Sequence, residues 1–462
     1  MNLILAIQRS KKFFAAPAAA VLALLLVPAQ PAAGADTLRV TLAEVIEHAL
    51  SVSPRILAAG KSVEQAEGYQ LSSLSGFLPQ LKVSEAFSRG NDPVFAFGTK
   101  LRQARFAQAD FSLGQLNQPS ALTNYATRFV VEQPIFNGGK SLYGRRQATA
   151  FRNAADKAAQ AVHEQTLFGI RRTYYSLILT RENLKVIDAA LASARSHHHQ
   201  AAQMLETGMV TRADELKASV RVSELEQQRI RALNAVEIVS ENLKLASGWR
   251  TESFLFPAEG LSELDFDFDP DSLTAFALAN QGELGAAKNA ARAAEFGARA
   301  AWGELIPRLN GFFQYEKDGR KAFAADGDNW MVGISLDWYP FSGFGNLGRI
   351  KSKRAEKEKA AYEASLARHK VEVSVRESFL EATASKKMIA VARQAESQAE
   401  ESLRIVENQY REGLATITDL LDTELARTNA RLSLVNAMFE YNTALARLSM
   451  VTGGYPVNGR NL

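Results

Sequence analysis

The 462-residue chain contains no cysteine. That excludes disulfides, thiolate metal sites, cysteine nucleophiles and a lipidated cysteine as membrane anchor. An excess of either charge is also lacking, with 54 Lys and Arg against 50 Asp and Glu. The net +4 is too mild to point to nucleic acid. After the N-terminal segment no stretch approaches the ~20 apolar residues of a membrane-spanning helix. No Gly-rich phosphate loop follows a strand and no histidine motif pairs with a nucleophile, so the chain does not read as an enzyme and calls for no cofactor and no metal. Proline is absent from Ser141 to Leu205, a run of 65 residues whose only glycines are Gly144 and Gly169.

What is present begins with an export signal. Arg9, Lys11 and Lys12 precede the apolar run Phe13–Val27, and Ala33-Gly34-Ala35 offers a cleavage site, so residues 1–35 read as a signal peptide. The alternative, a membrane anchor, needs a longer apolar run. An exported chain without spanning helices is either soluble or a β-barrel of the outer membrane.

The chain repeats itself. Displaced by 205 residues, Phe136 falls on Phe341, Gly138 on Gly343, Gly208 on Gly413, Thr211 on Thr416 and Asp214 on Asp419. Upstream the displacement is 228, with Pro79 on Pro307, which places 23 extra residues in a loop of the first half. The reading is a first repeat over 41–248, an acidic linker over 249–270, a second repeat over 271–453 and a C-terminal tail over 454–462. Strands are expected at about 80–89, 125–134, 308–317 and 329–339, and long helices at 141–205, 211–247, 346–411 and 416–452.

The strand pattern is clearest at "NWMVGISLDWYP". Trp330, Val332, Ile334, Leu336 and Trp338 share one face, since successive side chains alternate. An apolar face of membrane-spanning length with an aromatic residue at each end fits an outer-membrane strand and its girdle, which Tyr315 on the partner strand joins. The inward set includes Asn310, Gln314 and Glu316, with Arg128 in the first half. Glu85 interrupts the outward face of its strand. Amphipathic hairpins in a soluble sandwich are the alternative, but they leave the terminal tryptophans unexplained. Four strands cannot close a barrel, for which about 8 are needed, and an open edge is not tolerated in lipid. The barrel must therefore be shared, and three copies would supply twelve strands. The long insert Asn91–Asn124 is expected to cap the outer mouth.

The long runs repeat apolar residues at 3–4 spacing (Leu167, Ile170, Tyr174, Leu177; Val236, Val239, Leu243), a coiled-coil seam. At Gly208 and Gly413 the helices break, and Thr211 and Thr416 can cap the next helices, each with an aspartate three residues on. The triplet His197–His199 suggests metal, but adjacent helical residues face different directions and make no chelate.

Signal, two repeats, the "PIFNGG" corner and the Gly-x-x-Thr breaks together resemble the TolC family of outer-membrane efflux channels over nearly the whole mature sequence. The resemblance implies a mixed α/β membrane protein: a homotrimer in which long coiled-coil helices form an α-barrel across the periplasm and four strands per chain build a shared transmembrane β-barrel. It implies outer-membrane lipid, a periplasmic adaptor and an inner-membrane pump as partners. It further implies a periplasmic gate, matched here by Asp214, Tyr410, Asp419 and Asp422, and adaptor docking at the tips Gly208, Thr211, Gly413 and Thr416. The arginine that the best-known members carry two residues after the tip glycine is replaced by Ala415. Two alternatives remain: a secreted trimeric coiled-coil structural or adhesive protein, and a duct for protein secretion rather than small-molecule efflux.

Overall fold

The computed structural model describes residues 37–265 and 268–455. The signal segment and most of the C-terminal tail lie outside them. The first repeat runs β1 (Thr37–Val40), α1 (Leu42–Val52), α2 (Pro54–Ser72), β2 (Gln80–Gly90), α3 (Pro93–Arg102), α4 (Leu113–Asn117), β3 (Leu122–Phe136), α5 (Lys140–Glu206) and α6 (Arg212–Ser247). β4 (Phe254–Pro257) comes next in the chain. The second repeat runs α7 (Pro270–Asn280), α8 (Gly282–Trp302), β5 (Arg308–Gly319), β6 (Gly327–Asp337), α9 (Gly345–Arg411) and α10 (Ile417–Thr452).

α5 and α9 each span 67 residues, about 100 Å at ~1.5 Å per residue. α6 and α10 each span 36. Neither α5 nor α9 has the uniformly apolar surface of a membrane helix, and among the described residues no helix is long and apolar enough to cross a membrane. Their stability comes from interhelical seams. Ile170, Tyr174 and Leu177 of α5 meet Val236 and Leu243 of α6 in the largest core. Tyr441, Ala444 and Leu445 of α10 meet Ala382 and Ile389 of α9 in the sister seam.

Positive backbone φ marks the repeat again. Gly138, Gly139, Gly208 and Gly248 all have it, and so do the residues 205 positions later: Gly343, Phe344, Gly413 and Gly453.

β2, β3, β5 and β6 form one antiparallel sheet in the order β2-β3-β5-β6, which leaves β2 and β6 as edges. The register lines up Val83, Phe129, Tyr315 and Trp330 in one row, and Leu81, Val131, Phe313 and Val332 in the next. These rows carry the apolar face. Above them runs a polar row of Glu85, Thr127, Lys317 and Asp328. Glu85 thus interrupts the outward face as expected: it lies between the Val83–Phe129 row and the Phe87–Tyr125 pair beyond it, and Thr127 donates to it. At the lower border β6 ends at Asp337, so Trp338 sits just past the strand, its indole N–H donating to Leu305 O at 3.1 Å.

Two expectations need correction. The segment 249–270 is not a plain linker: β4 pairs in parallel with β1, joining the start of the chain to the middle. Four-residue strands show no legible alternation, and the tie is tertiary: the Tyr174 hydroxyl donates to Val40 O at 3.0 Å and the Arg181 guanidinium lies 3.3 Å over the Phe256 ring. The insert is not a simple loop either. It holds α3 and α4 and rests on the polar face of the sheet.

Candidate functional site: the helix tips and the sheet insert

α5 and α9 end alike. Gly208 (φ +73°) and Gly413 (φ +76°) reverse the chain. The Met209 N–H then donates to Met204 O, and the Leu414 N–H to Gln409 O, each at 2.8 Å. Glycine enters the left-handed region without a Cβ penalty, and the reversed bonds satisfy the last helical carbonyls. Met209 and Leu414, at equivalent positions, both stand exposed.

The next helices begin with two capping boxes. Asp214 Oδ2 accepts from Thr211 N (3.2 Å) and Oγ1 (2.7 Å). Asp419 Oδ2 accepts from Thr416 N (2.9 Å) and Oγ1 (2.6 Å). The aspartate N–H groups return bonds to the threonine hydroxyls. The threonine hydroxyl first, and its backbone N–H second, hold both carboxyls below the usual aspartate range.

The two tips pack together. Ala201 and Ala218 of the first half join Leu403, Tyr410, Ile417 and Leu420 of the second, with Ala415 against them. Tyr410 is buried, and among the described residues its hydroxyl has no hydrogen-bond partner. Burial, and then the charge of Asp214, push its hydroxyl above the ordinary tyrosine range. Asp214 is thus near enough for its charge to act on Tyr410 across the repeat, while Asp422 stays exposed on α10. Asp422's counterpart 205 positions earlier is Lys217, whose Nζ lies 3.1 Å from Thr418 Oγ1 and 3.5 Å from Asp214 Oδ1.

Above the tips the histidines diverge. His197 is buried, its Nε2 3.8 Å from both Glu407 and Glu424. His198 meets Glu215 at 2.9 Å, and exposed His199 contacts Gln203. Glu424 is almost fully buried, and among the described residues neither of its carboxylate oxygens has a hydrogen-bond partner. Sequence reasoning missed this pair: Glu424 is one of four acidic residues on α10, and only the helix packing shows it turned inward.

At the other end, Tyr315 and Trp330 are register partners directly below the polar row, and Trp338 lies at the opposite border. On the inner face Arg128 Nε lies 2.6 Å from Glu316 Oε2, and the Asn124 amide donates to Asp318 Oδ1 at 2.6 Å. The inward direction of Arg128 and Glu316 was legible from alternation. Their pairing, and the cover laid over them by Arg102 and Gln103 of the insert, was not. The Asp92-Pro93 start is a helix N-cap followed by proline at the first turn, and it could have announced α3.

Solved structures share this architecture. A membrane protein from Pseudomonas aeruginosa superposes with a TM-score of 0.78 at 16% identity, covering 89% of this chain and 93% of that one. The Campylobacter jejuni CmeC outer membrane channel gives 0.78 at 16%, covering 91% and 86%. The Neisseria gonorrhoeae MtrE outer membrane channel gives 0.75 at 15%, covering 91% and 90%. In sequence, the alkaline protease secretion protein AprF of Pseudomonas aeruginosa is 22% identical over 414 residues, 88% of this chain and 82% of that protein. The model of the outer membrane efflux protein family matches residues 45–249 and 273–454, and the chain belongs to that family.

Proposed function

We propose that the chain trimerises into the outer-membrane exit duct of a tripartite export system, taking cargo passively from a periplasmic adaptor and an inner-membrane pump to the exterior. The observation that carries this reading is the four-stranded sheet. It has an exposed apolar face, a polar opposite face and two bare edges, and it continues directly into helices of about 100 Å. One chain cannot satisfy those edges in lipid, whereas three chains close twelve strands around water. The exposed Met209 and Leu414, beside the caps at Thr211 and Thr416, give each tip an apolar knob suited to an adaptor. Asp214, Asp419 and Asp422 would ring the narrow periplasmic end and favour cations.

The similarity to a protease secretion protein favours a polypeptide cargo over small molecules. A secreted adhesin would not need the apolar rows. The test is extraction from outer membranes, heat-modifiable migration as a trimer, and conductance in planar bilayers. Purified protein that stays soluble without detergent and forms no channels would favour the adhesin.

A further inference from the structure

The insert between β2 and β3 lies on the sheet's polar face, which is the lumen wall. Arg102, the last residue of α3, reaches Glu316 Oε1 at 3.3 Å. The next side chain, Gln103, donates from Nε2 to Thr123 O and Asn124 Oδ1, both at 2.9 Å, and to Gly319 O at 3.3 Å. The fit is close. A Cβ on Gly327 of β6 would fall 2.2 Å from Arg102 O. Gln103, Glu316 and Asp318 are buried to within 2% exposure, although they belong to a wall that would otherwise face water. The insert is a body of its own, with Phe97, Phe106 and Phe111 stacked edge to face and Lys100 paired to Asp110 at 2.7 Å. It is therefore held to the wall mainly by polar bonds that water can replace, while its internal core can move as a unit.

We infer that this insert is an outer gate, and that Arg102 and Gln103 are the positioning residues that hold it across the lumen. Three copies would converge on the mouth, and cargo larger than hydrated ions must displace them. The inference rests on the duct reading above.

The experiment uses purified full-length trimers in planar bilayers. Arg102→Ala with Gln103→Ala should raise single-channel conductance several-fold and leave the thermal stability of the trimer unchanged. Because the chain has no cysteine, Gln103→Cys with Asn124→Cys can be bridged by a reversible thiol linker. Bridging should hold conductance at or below the wild-type level, and reduction should release it. If the alanine variant conducts like wild type and the bridge changes nothing, the gate is overturned although the duct stands. A wild type that forms no channel defeats the duct, and the gate with it.

Discussion

At residue 139 the first half places glycine; 205 positions later the second half places Phe344. Both backbones are left-handed, with φ +82° and +64°. The neighbouring pair, Gly138 and Gly343, is glycine in both halves but differs in surroundings. A Cβ on Gly138 would lie 2.5 Å from Gly303 O, whereas one on Gly343 would meet nothing within 4 Å in the single chain. The first corner is wedged against the turn between α8 and β5 of the second repeat, and the second corner ends at open space and an exposed phenylalanine. One backbone turn thus serves two purposes: the first corner joins the halves, and the second faces whatever lies beyond the chain.

The largest effect comes from that wedge. Gly138→Ala meets both a disfavoured φ and a backbone collision, and should cost about 2–5 kcal/mol. Gly343→Ala meets only the disfavoured φ, about 1 kcal/mol. Heat-modifiability of the two trimers compares them directly. Equal losses would mean that a neighbouring protomer crowds the second corner as tightly as Gly303 crowds the first.

The tips differ in charge rather than in shape. Their caps superpose on the 205-residue offset, but Lys217 stands where the second half has Asp422. The carboxylates that could act on passing ions are therefore concentrated in the second half, and the first half carries a compensating cation. Asp419→Ala with Asp422→Ala should weaken cation selectivity in planar bilayers, and Lys217→Ala should strengthen it. Reversal potentials in a salt gradient decide; if neither variant moves them, these residues do not line the constriction.

The caps themselves should behave alike. Thr211→Ala and Thr416→Ala each remove an N-cap and should cost ~1 kcal/mol. The folded-state pKa values of Asp214 and Asp419 lie below those of the unfolded chain. Their contribution is therefore present at neutral pH and is lost as pH falls below ~4. The gap between each variant and wild type should narrow in acid without closing, because the bond from the aspartate N–H to the threonine hydroxyl does not titrate. A gap of constant size across the pH range would mean that the carboxylates add nothing to the caps.

Legibility in the sequence divides along the same line. The 205-residue offset made both long helices, both tips and both corners readable, because each depends on local signals: glycine at a left-handed turn, threonine at a cap, alternation along a strand. β1 and β4 were not readable, since their pairing is held by Tyr174 and Arg181 from α5. Nor was the cover over Glu316, because the first half carries 23 extra residues there, and its short sister, Gly319–Asp328, offers no counterpart to compare with them. The buried Glu424 escaped for the same reason, its counterpart 205 positions earlier being Ser219.

The smallest effect concerns Phe344 itself. A non-glycine residue held at φ +64° costs about 1 kcal/mol, and the edge-to-face contact with Phe341 at 5.5 Å returns part of that. The side chain is 70% exposed, so packing within the chain gives little reason to keep it. In the proposed shared barrel, its place just after Trp338 and Tyr339 would put it at the lower aromatic border, where such rings settle at the membrane interface. Phe344→Gly should therefore leave the detergent-solubilised trimer unchanged or up to ~1 kcal/mol more stable, while reducing its insertion into liposomes. If insertion is unaffected and stability falls, Phe344 is held by a neighbouring protomer rather than by lipid, and the second corner is a joint between chains just as the first is a joint between halves.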